Sequence, residues 1–449
     1  MDISIFKTHD EIDNHSNRIN VAIKLSTPSI SLRTSLDDIL LILLLDISSS
    51  MNGAKLEALK ASVMYVLERC GKNCHISIIT FNSKVTNMTN GIISLDDKFP
   101  HRAEQLQKII NDIRDLKAEG PTNIGGALDQ GFKMFCKFKD ISDVMSSMLL
   151  LTDGQNNYEF SDSSIKSSVV EKFTKEGLQI PIYTFAIGEE PNAKLLALIS
   201  TYSTGIYYFI ANETEIASRL GECIGGLINC AHSSVSIGID CNSGCRLIRV
   251  INKTTCLKID NKKFNVFIGN LQFGESKTIL VELSLRKMKE TELVKGIQKL
   301  FQTTISFDRS KSLTSPPVEI KRCDNPQVKP IPAEIELAQL QAETLSDIES
   351  IIREADNDCY SNASKLVGEA KSKYSGIVSD NPIITEALEK TIDDLSSIGQ
   401  MVSDNDSYKK HKNRTTSYVS IYESEYLKSD AQIEEAENAK KISGRYMTM

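Results

Sequence analysis

Asp46, Ser48 and Ser50 follow a run of seven apolar residues at positions 39–45. One carboxylate and two hydroxyls offer only hard oxygen donors, a set that suits Mg²⁺ or another small divalent cation and not Zn²⁺ or copper. A branched apolar run ending in such a cluster reads as a buried parallel strand. In open α/β sheets the carboxyl ends of the strands are where ligands bind. A turn then folds the two hydroxyls back toward the carboxylate. A helix follows from Lys55, with apolar residues at Leu56, Leu59, Val63, Val66 and Leu67. Ser50 and Asn52 also qualify as N-caps, so helix capping alone would account for the serines.

Two more oxygen donors occupy matching contexts downstream. Thr122 stands in the segment Gly120-Pro121-Thr122-Asn123, at the mouth of a helix that continues through Phe132 and Phe135. Met148-Leu149-Leu150-Leu151-Thr152 reads as another buried strand, ending in Asp153 and the turn formers Gly154, Asn156 and Asn157. Two parallel strands and a loop thus each bring an oxygen ligand to one edge of a sheet.

Asp46-x-Ser48-x-Ser50, Thr122 and Asp153, in that order and with these flanks, resemble the metal-ion-dependent adhesion site of von Willebrand factor A domains. The resemblance implies that the three hydroxyls approach the metal and that the two acids bind it directly or through water. It also implies a coordination position left open for a carboxylate from a partner protein. Pro121 departs from the pattern, standing where many relatives have Gly, and its fixed φ stiffens the loop that carries Thr122.

The chain has 449 residues, enough for about two or three domains with substantial cores. Its net charge of −7 gives no general attraction to nucleic acid or acidic membranes. Residues 1–20 are polar and do not resemble a signal peptide, and the run 39–45 is far too short to span a bilayer. A cytoplasmic location with reduced thiols is therefore expected for the ten cysteines. Cys70-x₃-Cys74 and Cys241-x₃-Cys245 superficially suggest zinc, but neither has a second Cys/His pair at finger spacing, and His232 stands alone near Cys230. Asp96, Asp97, Glu119, Asp162, Glu189 and Glu190 read as acids of solvated loops or helix ends, with no role assigned.

Alternating strands and helices up to about Gly226 predict a doubly wound, mostly parallel sheet, and the resemblance implies that this sheet has the von Willebrand A fold. The strand at 75–81 fits either a central place or an antiparallel edge. After residue 228 the pattern turns to period-two alternation, in runs at 235–239, 247–250, 264–268, 278–285, 303–307 and 318–320, which predicts a β-sandwich. An earlier alternating run at 20–25 suits that sandwich better than the doubly wound sheet. It implies an A domain inserted into a discontinuous β domain, the alternative being a mere N-terminal arm. Pro326, Pro330 and Pro332 mark the next boundary. Beyond them, helical stripes at Leu337–Ala355 spacing and at Ile384, Leu388, Ile392, Leu395 and Ile398, with a third helix from Tyr408 to about Lys441, predict a helical hairpin or bundle. The expected organisation is an arm with a sandwich strand at 1–35, the A domain at 36–228, the sandwich at 229–325 and a helical domain at 333–442.

Domain order and the junction Cys223-Ile224-Gly225-Gly226-Leu227 also resemble the plant RING-finger proteins that carry a von Willebrand A domain. Those relatives place a Cys/His-rich RING ahead of the A domain, whereas residues 1–40 contain no cysteine, so ligase activity is not carried over. No nucleophile elbow, no Cys/His pair in a recognisable setting and no phosphate-cradling Gly-rich loop followed by Lys-Ser/Thr is found, and basic residues are interleaved with acids, which argues against a hydrolase, a nucleotidase and a nucleic-acid binder. The expected function is a non-enzymatic intracellular scaffold whose Mg²⁺ or Mn²⁺ captures an Asp or Glu of a partner protein. The alternatives are a structural or assembly protein that homo-oligomerises through its C-terminal helices, or a RING-less accessory subunit of a ubiquitin ligase.

Overall fold

The computed structural model describes all of the chain except residues 30–38, 72–73, 96–101, 140–143, 154–168, 170, 173–179, 189–190, 252–255, 288–295, 309, 328, 425–429 and 448–449. The turn formers Gly154, Asn156 and Asn157, and the acids Asp96, Asp97, Asp162, Glu189 and Glu190, lie outside the described residues.

Three strands open the chain: β1 (Asp2–Lys7), β2 (Glu11–Asp13) and β3 (Arg18–Ser26). Next come β4 (Ile39–Asp46), α1 (Ala54–Arg69), β5 (His75–Phe81), β6 (Val85–Asn87), β7 (Ile93–Ser94), α2 (Arg102–Arg114), α3 (Ile124–Lys139) and β8 (Met145–Thr152). β9 (Ile182–Ile187), α4 (Ala193–Tyr202), β10 (Tyr207–Ile210) and α5 (Ile216–Ile228) complete this unit. Its sheet has the order β10-β9-β8-β4-β5-β6, with β7 also on β5. The first five strands of that order are mutually parallel, and β6 and β7 are antiparallel to β5. β5 is therefore inside the sheet and begins its antiparallel margin.

All eight residues of β4 are buried, because helices cover both faces of the sheet. Ile39, Leu41, Leu43 and Leu45 pack against α1 and α5, while Leu40, Ile42 and Leu44 pack against α3 and α4. A strand covered on both sides needs no polar alternation, which is why its sequence is a continuous apolar run. Its polar terminus is all it leaves for chemistry.

β11 (Cys230–Cys241) starts one residue after α5, followed by β12 (Cys245–Val250), β13 (Cys256–Lys258), β14 (Lys263–Gln272), β15 (Ser276–Leu285), β16 (Ile297–Phe307), β17 (Lys311–Thr314) and β18 (Val318–Cys323). These strands and the first three form two sheets, β1-β3-β15-β12 and β13-β14-β11-β16-β18-β2, with β17 on β16. Val21, Ile23 and Leu25 of one sheet share a core with Val235, Ile237 and Ile239 of the other. β3 is hydrogen-bonded on both sides, to β1 and to β15. The strands β1 and β2 went unread in the sequence: β1 is an edge strand with half-buried Ile3 and Ile5, and β2 has three residues, paired in parallel with β18.

The helical region is α6 (Ala333–Asp356), α7 (Tyr360–Ser375), α8 (Pro382–Met401), α9 (Asn405–Ser424) and α10 (Asp430–Met447). α7 leaves little signal in the sequence, because its inward stripe is Ala363, Val367, Ala370 and Tyr374, with few large apolar residues. The helix expected from Tyr408 to about Lys441 is described as two, α9 and α10. α6 to α9 share one apolar core, whereas α10 packs across α5 and α1 of the A-type unit.

Glycine makes that last contact possible. A Cβ on Gly221 of α5 would stand 2.6 Å from the Glu435 carbonyl oxygen. Glu435 Oε1 accepts from the Tyr65 hydroxyl at 2.6 Å, its Oε2 accepts from Arg69 Nη2 at 3.1 Å, and Gln432 Nε2 donates to the Glu222 carbonyl at 3.2 Å. Glu435→Ala takes the shared acceptor from a buried hydroxyl and a guanidinium, and should cost about 1–3 kcal/mol. Urea unfolding should show a lower midpoint with an unchanged m-value.

Candidate metal centre

Asp46 is the last residue of β4, and its neighbours in space come from three segments at the same sheet edge. Its Oδ1 accepts from the Ser48 backbone N–H at 2.8 Å, and its Oδ2 accepts from the Thr152 hydroxyl at 2.5 Å. Thr152 ends β8, the strand beside β4, so Asp153 emerges next to Asp46. A 3₁₀ turn, Ser49–Met51, brings the Ser50 hydroxyl to 3.1 Å from that of Ser48. Ser49 N–H donates to the Gly120 carbonyl at 2.9 Å, and Glu119 N–H donates to the Ile47 carbonyl at 2.8 Å. Those two bonds join the serine turn to the loop that carries Thr122. Gly120 makes the bend possible with φ +76°, a left-handed conformation that costs glycine little. Asn123 then opens α3, its Oδ1 accepting from Gly126 N–H at 2.9 Å.

Asp46, Ser48, Thr122 and Asp153 are buried, and Ser50 is partly exposed. All five residues singled out in the sequence thus stand at one end of the sheet. Two participants were missed. Thr152, one residue outside the motif, fixes the Asp46 carboxylate. Lys55, in the first turn of α1, donates from Nζ to the Ser50 carbonyl at 3.3 Å and lies 3.5 Å from Asp153 Oδ2. No sequence signal marks it, because a lysine in the first turn of a helix is ordinary and only packing brings it to Asp153.

The donor set fits a hard divalent cation. It combines two buried carboxylates with three hydroxyls, and among the described residues no group of three or more His, Cys, Asp or Glu side chains offers a softer or more acidic cage. The negative Asp153 beside Asp46 is what a divalent charge would relieve.

Burial pushes the Asp46 carboxyl up from 3.8 to about 6, with the neighbouring Asp153 charge adding to it and the Thr152 and Ser48 hydrogen bonds opposing it. The folded, metal-free chain therefore holds a proton that the unfolded chain has lost between about pH 4 and 6. That contribution to stability is complete below the unfolded value and is lost as pH rises through about 6. Mg²⁺ requires the ionised carboxylate, so it should raise the melting temperature at about pH 7 and much less at about pH 5. Thermal melts in Mg²⁺ and in chelator at both pH values check this. Equal metal-induced shifts would contradict it.

The sequence profile described as von Willebrand factor type A domain matches residues 41–220. An uncharacterized protein of Synechocystis sp. is 24% identical over 276 residues, covering 60% of this chain and 61% of its own length. The E3 ubiquitin-protein ligase WAV3 of Arabidopsis thaliana is 22% identical over 301 residues, which are 64% of this chain and 37% of the ligase. The chain thus spans less than two thirds of either relative. Among solved structures, a von Willebrand factor type A protein from Catenulispora acidiphila superposes with a TM-score of 0.66 at 14% identity, covering 85% of this chain and 90% of that one. Fold neighbours, strand order and profile agree that residues 41–220 are a von Willebrand factor type A domain.

Proposed function

We propose that this chain is a non-enzymatic protein-binding scaffold, and that Asp46, Ser48, Ser50, Thr122 and Asp153 hold Mg²⁺ or Mn²⁺ for the capture of an Asp or Glu of a partner protein. The observation that carries the reading is the pair of buried acids, Asp46 and Asp153, set among three hydroxyls at the carboxyl end of β4 and β8. Such an ion supplies a positive centre with a coordination position open to a carboxylate. Asp46 and Asp153 anchor it from strand ends. Thr122, on a loop, is the ligand able to adjust. Pro121 and the Ser49–Gly120 bond restrain that loop, so the site acts mainly as a static anchor.

Thr122→Ala should weaken partner capture while leaving the fold and much of the metal affinity in place. The test is recovery of bound proteins from a native extract on immobilised chain, in excess Mg²⁺ and in chelator. Capture should vanish in chelator and fall for Thr122→Ala; equal capture under all three conditions would defeat the reading.

A second reading has its own observation. Ile377, Val378 and Ile383, at the turn between α7 and α8, are 43%, 92% and 60% exposed. An apolar hairpin tip suits self-association. Concentration-dependent sedimentation that ignores chelator and disappears in Val378→Ser would favour an assembly role.

A further inference from the structure

Cys70 and Cys74 form a second chemically distinct cluster, remote from the metal centre at the opposite end of α1. Cys70 follows the last residue of α1, its N–H donating to the Val66 carbonyl at 3.0 Å. Cys74 directly precedes β5, its N–H donating to the Gly71 carbonyl at 3.2 Å. The Cys74 Sγ lies 3.2 Å from the Cys70 Sγ. A disulfide needs about 2.05 Å, so about 1.2 Å of closure separates the pair from a covalent bond. Cys70 is partly exposed and Cys74 is buried. Cys241 and Cys245 also neighbour each other, but both are buried in the sandwich.

We propose that Cys70 and Cys74 are a reversible dithiol–disulfide site, oxidised by a small-molecule disulfide of the glutathione class. Cys70, which solvent reaches, loses its proton to water and attacks one sulfur of the oxidant. The oxidant's S–S bond breaks, and one glutathione leaves as a thiolate that takes up a proton. Cys74, shielded from the oxidant but next to Cys70, then loses its proton and attacks the Cys70 sulfur of the mixed disulfide. That bond breaks, the second glutathione leaves, and the Cys70–Cys74 bond forms. Two electrons pass from the cysteine pair to the oxidant, yielding two reduced glutathiones. Division of labour between an accessible attacking thiol and a buried resolving thiol is what distinguishes this pair from two core cysteines.

The site has a mechanical connection. Arg69, the residue before Cys70, grips Glu435 of α10.

The test is incubation of the folded full chain in glutathione buffers from reduced to oxidised, followed by acid quench, alkylation and peptide mass spectrometry. Oxidised buffer should remove alkylation at both Cys70 and Cys74 and link the two in one peptide, and a reducing agent should restore it. Cys74→Ala, which keeps the buried position apolar, should instead accumulate a glutathione adduct at Cys70. Unchanged alkylation of the wild-type pair, or a persistent wild-type adduct at Cys70 without the internal bond, would overturn the proposal.

Discussion

Asp46→Asn should abolish divalent-ion binding while leaving the metal-free chain at least as stable at about pH 7. Asparagine keeps the shape and the acceptor for Ser48 N–H. The Thr152 hydroxyl, which donates to Asp46 in the native chain, can reverse and accept from the amide. What disappears is the charge. Losing a partner that merely orients a metal ligand costs 10–100-fold in affinity, so losing a charged ligand itself should cost at least about 100-fold. The same substitution removes a buried negative charge from the neighbourhood of Asp153, which is why the metal-free fold should not suffer. Ser50→Ala, deleting a neutral and partly exposed donor, should have a smaller effect. Calorimetric Mg²⁺ titrations beside thermal melts read both quantities. A variant that binds Mg²⁺ within about threefold of wild type would remove Asp46 from the site.

Deleting residues 1–28 should unfold the β-sandwich, although the segment lies ahead of the A domain in the chain. β3 is an inner strand, paired with β15 from Ser26↔Ser276 to Arg18↔Ser284 and with β1 on its other side. Ile19, Val21, Ile23 and Leu25 are all buried. At about 1.5–3 kcal/mol for each buried side chain, the four contribute about 6–12 kcal/mol, an upper estimate, against a typical domain stability of about 5–15 kcal/mol. The deletion also leaves the backbone groups of β15 unpaired along one edge. Far-ultraviolet circular dichroism should show loss of strand signal, and the melt should lose its cooperative sandwich transition. If the truncated protein melts like the full chain, β3 is dispensable.

What the sequence made legible, and what it hid, follows from which forces are local. The run at 39–45 announces a strand buried on both faces, and its polar end names Asp46, Ser48 and Ser50. Thr122 and Asp153 are recognisable because each ends or begins an element with its own pattern. Thr152 and Lys55 were hidden: a threonine ending a strand and a lysine beginning a helix are ordinary there, and only the packing of β8 against β4 and of α1 over the sheet edge brings them to the acids. The inner strand β3 was visible through its alternation, while β1 and β2, an edge and a three-residue strand, carry too little burial to leave one. Periodicity also cannot say what a helix covers. α10 reads as another bundle helix, yet it leaves α6–α9 for α5, where Gly221 makes room for the Glu435 backbone.

The proposed divalent site is tested most directly by adding Mn²⁺ to the full chain and following the free-ion signal by electron paramagnetic resonance. With five oxygen donors at the carboxyl end of β4 and β8, each chain should remove one Mn²⁺ from the free pool, excess Mg²⁺ should release it, and Asp46→Asn should remove none. A free-ion signal that rises from the first addition as it does in buffer alone, with the chain folded and at millimolar concentration, would contradict the existence of the site.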